Sequence, residues 1–211
     1  MLNNERIGGT YAVMSSLKGL AAFLISGLVS SVVILRTNNY VIGMMISGGL
    51  GALLYGLSMK AGSKLLNMTL VGAISMPVGL IITFGLFEGV GALLSMVYDV
   101  FGTSGIPDGL VIMMIVGIFG VSVGASLYGR KAIRWFFGIC AISAIPFGAL
   151  VVALNKGAPI KEGLEKLFRM IGPIDLNALA IALALGLGLG LSVGTFSQLK
   201  QKDRRDTTRQ E

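Results

Sequence analysis

Two pairs of residues are the best placed in this sequence to do chemistry: Ser75 with Pro77, and Ser143 with Pro146, each serine following an Ala-Ile dipeptide in the middle of an apolar run. A proline inside a helix lacks the amide donor and leaves a carbonyl one turn earlier without its bond. A freed carbonyl beside a hydroxyl can hold an ion or a polar solute, and paired interruptions in corresponding helices point to a binding path. Prolines also kink membrane helices for packing alone, which is the competing expectation. Asn67, Thr69 and Thr83 are further polar groups for such a path, and Glu88, Asp99, Asp108, Glu162 and Asp175 fall towards one end of it. Those carboxylates either attract cations or are solvated in loops.

Covalent chemistry has little to work with. Histidine is absent and Cys140 is the one cysteine, which removes the usual general base, the commonest transition-metal ligand and any intramolecular disulfide. The glycine-rich runs lack the preceding strand and the Lys-Ser/Thr that a phosphate cradle needs. No catalytic residue, no metal site and no cofactor is therefore expected, and the chain is not read as an enzyme.

The elements that must carry these residues follow from composition. With 54% hydrophobic and only 13% charged residues, a chain of this size cannot hide its apolar surface in water, so the lipid bilayer is its expected solvent. The net charge of +7 sits at segment ends and in the tail, where it orients a membrane protein rather than binding nucleic acid. Spans are expected at 11–35, 40–59, 65–87, 109–128, 132–154 and 174–199, since ~20 apolar residues cross the hydrocarbon. The first is too long for a signal-peptide core and has no small-x-small site after it, so it is read as a span. Lys18, about two turns in, is expected to snorkel to the headgroups. Segments 88–108 and 156–173 read as amphipathic excursions at the outer interface, the first broken by Gly102, Gly105 and Pro107, and 200–211 as a disordered tail. The whole of 1–199 forms one transmembrane domain.

Six spans put both termini on one side. That side holds Arg6, Lys60, Lys64, Arg130, Lys131, Arg134 and the tail cations, eleven of the 17 Lys and Arg, while five lie opposite. The termini are accordingly expected in the cytoplasm, with the protein in the cell or inner membrane. Tyr128 and Trp135 bracket the second basic loop as interfacial aromatics.

Glycine contributes 31 of 211 residues, about twice the usual ~7%, and it is patterned. Ala178, Ala182, Gly186, Gly190 and Gly194 form one ladder at spacing four, with Ala180, Ala184, Gly188 and Ser192 a second on the roughly opposite face. Gly48 and Gly56 with Ala52, and Gly120 with Gly124, repeat the theme. An interior glycine costs a helix about 1 kcal/mol relative to alanine, a cost that close backbone approach can offset. The last helix is therefore expected between two partners. The strict alternation of 178–194 has the period of a strand, but a barrel strand alternates polar with apolar over ~9–11 residues. This run is apolar on both phases and rich in Ala and Leu, so helix is expected.

A shift of 68 sets Gly56, Ser58, Ala73, Ile74 and Ser75 on Gly124, Ser126, Ala141, Ile142 and Ser143, and a shift of 74 sets Glu88-Gly89 on Glu162-Gly163. A parallel duplication of helical hairpins is the expected origin. A glycine-rich helix, a basic loop and a Pro-x-Gly helix, repeated, resembles the layout of the hairpins of rotor-ring proteolipids in V-type and A-type ATPases. That resemblance implies a mid-membrane carboxylate, and no Asp or Glu falls mid-span here, so it extends to architecture only.

The fold class expected is thus an all-α integral membrane protein of six helices with close glycine-rich packing. Two functions fit it. One is a permease or channel whose path for a small solute or ion runs past Ser75, Pro77, Ser143 and Pro146. The other is a non-catalytic subunit of a larger, ion-translocating membrane complex, with glycine ladders docking a second copy in a homo-oligomer or sister membrane subunits.

Overall fold

The computed structural model describes residues 2–101, 106–157, 159–168 and 173–208, with side chains within 10–86, 109–157, 159–167 and 173–200. The elements are α1 (Leu2–Thr37), α2 (Tyr40–Ser58), α3 (Leu65–Phe101), α4 (Ile106–Tyr128), α5 (Ile133–Asn155), α6 (Ile160–Phe168) and α7 (Leu176–Thr208), with 3₁₀ turns at Gly62–Lys64 and Arg130–Ala132. Among the described residues there is no strand, so the alternating run in α7 is helical. Among the described residues, six helices are long and apolar enough to cross a membrane: Thr10–Thr37, Tyr40–Ser58, Gly62–Leu86, Gly109–Tyr128, Arg130–Asn155 and Leu176–Lys200. This is the set of a multi-pass membrane protein.

Local chemistry sets the ends. Asn38 adopts φ +52° just past α1, a left-handed conformation that asparagine tolerates, and its amide returns to the Ile34 carbonyl at 2.8 Å. Asn39 then caps α2, its side chain accepting from the Ile42 amide at 3.1 Å. At the other end of the bundle, Gly129 at φ +79° turns the chain out of α4. Asp175 caps α7, accepting from the amides of Asn177 at 3.0 Å and Ala178 at 3.1 Å, which satisfies two of the donors that open a helix.

Two boundaries differ from the sequence reading. Residues 88–101 continue α3 without a break instead of forming a separate interfacial segment, because a helix already nucleated propagates cheaply through isolated glycines. The tail, expected to be disordered beyond 199, is helical through Thr208. Lys, Gln and Arg there are good helix formers. Gly102 and Gly105 lie outside the described residues.

Consecutive spans pack as antiparallel neighbours, and α7 closes the sequence by packing on both α5 and α1. The result is a ring of six helices. Its register is written in the glycines: a methyl group at Gly186 would stand 2.5 Å from the Gly19 carbonyl oxygen, at Gly190 2.6 Å from that of Ser15, and at Gly194 2.6 Å from the Ala12 Cα. On the other side of α7, the same addition at Gly188 would lie 2.6 Å from the Ser143 hydroxyl. A side chain at Gly48 would run into the Gly72 carbonyl across α2 and α3, at Gly56 into Leu65, and at Gly120 and Gly124 into Cys140 and Phe136 of α5.

The middle of the ring is filled. Phe23 of α1 meets Phe119 of α4 edge-on at 5.6 Å between centroids, and both are fully buried with Tyr55, Met76, Ile115, Leu185 and Leu189. Nearer the end that carries the termini, Tyr128, Phe136 and Phe196 form a second aromatic cluster. There Trp135 donates to Thr195 at 3.0 Å and Tyr128 shares a hydrogen bond with Ser197 at 3.1 Å.

Candidate functional site

The four path residues do not converge. Ser75 is buried and donates to the Gly72 carbonyl three residues back at 3.3 Å; Ser143 is buried and donates to the Cys140 carbonyl at 2.9 Å. Both hydroxyls are thus used within their own helices, in matching local geometry. Pro77 is half-buried and Pro146 is exposed. The helices that bear them, α3 and α5, each pack on α4, which stands between them. Thr69 and Thr83 likewise bond the carbonyls of Leu65 and Gly79 one turn back, and Asn67 is exposed. Among the acidic residues, Asp175 is the α7 cap and Glu162 is exposed on α6. The side chains of Glu88, Asp99 and Asp108 lie outside the described residues. Lys18, half-buried, donates to the Ser58 carbonyl at the end of α2 at 3.2 Å, and Lys64 reaches the Leu127 carbonyl at the end of α4. Each lysine places positive charge where a helix dipole is negative.

A different site emerges between α1, α2, α3 and α7. A cavity of about 60 Å³ is lined by Ser30, Ile34, Tyr40, Met44, Ser47, Met76, Asn177, Ala178 and Ile181. It occupies the end of the ring away from the chain termini, where the α1–α2 turn and the start of α7 meet: Ser30 donates to the Gly43 carbonyl at 2.7 Å and Ser31 to that of Asp175 at 3.1 Å. One turn further along α2 from Ser47, the Phe23 ring crowds against Gly51, so the aromatic filling of the ring begins about one helical turn from the cavity.

Two features set this cavity apart. Among the described residues, the side-chain polar atoms that are buried with no hydrogen-bond partner are Ser47 Oγ and Asn177 Oδ1, and both residues line it. Leaving such an atom unpaired costs about 1–3 kcal/mol, which the packing of the surrounding helices has to outweigh. Second, Asn177 also lines an adjoining pocket of about 180 Å³ formed with Leu154, Asn155, Lys161, Glu165, Ile174, Asp175 and Leu176. Its amide nitrogen donates to Asn155 Oδ1 of that outer pocket at 3.0 Å. Asn177 therefore stands between a charged vestibule roofed by α6 and an uncharged inner chamber.

Sequence reasoning missed Ser47 and Asn177 because Ser47 reads as one more small residue beside Gly48 and Gly49. The available signal was an amide in the first turn of the last span, directly after the Pro173-Ile174-Asp175 turn. No family model, curated protein or solved structure matches this chain.

Proposed function

We propose that this multi-pass membrane protein provides a path for a small solute, entering from the vestibule lined by Lys161, Glu165 and Asp175, passing Asn177 and lodging in the chamber at Ser47. The observation that carries the reading is a pair of pockets that share Asn177, one of them lined by charged side chains and the other by uncharged ones. By the charge asymmetry of the loops, that end faces outward and both termini are cytoplasmic. The Phe23–Phe119 pair fills the middle of the ring, so passage across the bilayer would require the two rings to part, as in transporters that expose one site alternately to each side. The reading is non-catalytic and needs no cofactor.

Matching serine geometry at Ser75 and Ser143, and at Ser58 and Ser126, whose hydroxyls both bond three residues back, supports the duplication of hairpins as its origin. The filled midplane favours the second reading, a subunit without a path of its own. Its docking faces, however, would have to lie elsewhere than the ladders of α7, since Gly186, Gly190 and Gly194 abut α1 and Gly188 abuts α5.

The test is uptake by the full chain in sealed vesicles, using a panel of labelled small neutral and charged solutes. The path predicts protein-dependent uptake of at least one solute, slowed by Asn177→Leu. Vesicles no more permeable than protein-free controls to every member of the panel would refute it.

A further inference from the structure

The two ends of the ring differ in charge. At the end away from the termini, four cations with described side chains stand among Glu162, Glu165 and Asp175. At the end that carries the termini, Lys60, Lys64, Arg130, Lys131, Arg134 and Lys200 are all exposed, and no carboxylate accompanies them among the residues whose side chains are described. A surface of one sign concentrates ions of the other. Here it does so at the level where the helices leave the hydrocarbon.

Two short turns gather four of these cations. Lys60 stands at φ +55° just past α2, and the 3₁₀ turn Gly62–Lys64 leads into α3. Gly129 and the turn Arg130–Ala132 lead in the same way into α5. Lys64 donates to the Leu127 carbonyl at the end of α4, three residues before Arg130, so the α2–α3 and α4–α5 turns lie side by side. One N–H of the Lys64 ammonium is used in that bond and two remain. Arg130 and Lys131 also put positive charge at the opening of α5, where no side chain caps the turn and the helix dipole is itself positive. An anion seated between the two turns offsets that repulsion.

Hydrocarbon flanks the same cations. Leu57, three residues before Lys60, is 55% exposed, and Leu66, two residues beyond Lys64, is 70% exposed. Phe137, 41% exposed, lies against Gly117 of α4 one turn and a half beyond Lys131. A partner that meets both sets of groups is anionic at one end and apolar at the other. A phospholipid of net negative charge has that form, and juxtamembrane clusters of Lys and Arg attract such lipids. A soluble polyanion offers nothing to the leucines.

We propose that the paired turns bearing Lys60, Lys64, Arg130 and Lys131 form a binding site for the headgroup of an anionic phospholipid, whose acyl chains run past Leu66. The site goes beyond the transport reading and does not depend on it.

Quenching of tryptophan by lipids with brominated chains reads which lipid occupies such a site. Leu66→Trp in a Trp135→Phe background places the sole tryptophan of the full chain two residues from Lys64. In bilayers of phosphatidylglycerol and phosphatidylcholine, with one or the other brominated, phosphatidylglycerol should be preferred at that tryptophan by at least about fivefold, the factor that one nearby Lys or Arg supplies. Leu35→Trp in the same background, at the opposite end of the ring, should show no such preference. Lys60→Gln/Arg130→Gln/Lys131→Gln should abolish the preference while leaving Lys64 and its bond to Leu127 in place. Lys200→Gln/Arg204→Gln/Arg205→Gln removes as much charge from the same end and should leave the preference standing.

Equal quenching by the two lipids beside Lys64, or an equal preference at Leu35→Trp, would overturn the site. So would equal losses in the two triple variants, which would show a diffuse field in place of a site. Displacement of phosphatidylglycerol by glycerol phosphate in solution would overturn the lipid assignment in favour of a free phosphate. Lipid occupancy is read without a solute gradient, so each of these results leaves the uptake experiment to be judged by itself.

Discussion

Adding one methyl group at either of two glycines should have opposite effects, and the structure gives the size of the difference. Both Gly138 and Gly186 lie inside helices, so each gains roughly 1 kcal/mol of helix propensity on becoming alanine. Around Gly138 nothing stands within 4 Å of the new carbon, and Gly138→Ala keeps that gain. At Gly186 the carbon would lie 2.5 Å from the Gly19 carbonyl oxygen, 2.9 Å from its carbon and 2.9 Å from the Phe23 Cβ. These are backbone and near-backbone atoms, which cannot rotate aside. Overpacking of this kind costs about 1–3 kcal/mol, which cancels or exceeds the gain. The two variants should therefore differ by about 1–3 kcal/mol, with Gly138→Ala the more stable by roughly 5- to 150-fold in the folded-to-unfolded ratio. Unfolding in mixed micelles by added dodecyl sulfate reads this directly. Trp135, the one tryptophan, reports through its contact with Thr195 across α5 and α7. If Gly186→Ala proves as stable as Gly138→Ala, α1 and α7 do not approach as closely as described, and the ring does not close.

Phe23→Ala should destabilise the bundle by about 3–5 kcal/mol and, on the proposed path, by thinning the packed middle of the ring, raise solute leak through vesicles containing the protein; unchanged leak would show that Phe23 is not the barrier. Asn39→Ala removes the α2 cap and should cost about 1 kcal/mol, read in the same micelle titration, with no loss indicating that the turn is held by other contacts. In a Cys140→Ser background, Asn38→Cys should react with an impermeant maleimide on intact cells and Arg130→Cys only after permeabilisation. The reverse pattern would invert the orientation.

The spans were legible because lipid imposes a length and a composition that local sequence must meet, and the turn at Arg36-Thr37-Asn38-Asn39 because asparagine both tolerates φ > 0 and caps helices. The continuation of α3 through 88–101 was not legible: the stretch read as a separate amphipathic segment broken by Gly102, Gly105 and Pro107, yet nothing before Gly102 removes a backbone hydrogen bond as proline does. Ser75 and Pro77, two apart on a helix, point about 200° away from each other, whereas Ser143 and Pro146, three apart, lie within about 60°; that α4 stands between the two pairs is a matter of packing that neither local pattern contains. The chamber itself joins Ser47 to Asn177, 130 positions apart. Nothing local to either residue says that its polar atom will be left unpaired; that emerges only once four helices enclose it.

The hydrogen bonds between helices divide the ring at the chamber. Within the α1–α2 hairpin, Ser15 meets Tyr55 at 2.6 Å, Lys18 meets Ser58 and Ser30 meets Gly43, so the pair is tied along its length. A second group ties α7 to its other neighbours: Asn155 to Asn177, Cys140 with Ser192, Trp135 to Thr195 and Tyr128 with Ser197. Where the two groups meet, along α1 with α7 and α2 with α3, glycine faces lie against backbone, with Ser31 to the Asp175 carbonyl bridging the outer end. On the proposed path, a solute crossing the filled middle of the ring would part Phe23 from Phe119, which sit on opposite sides of that seam, since α4 packs on α5 and α7, and a rocking of the α1–α2 hairpin as one body would do so while keeping the hydrogen bonds within the hairpin and those of α7 with α4 and α5.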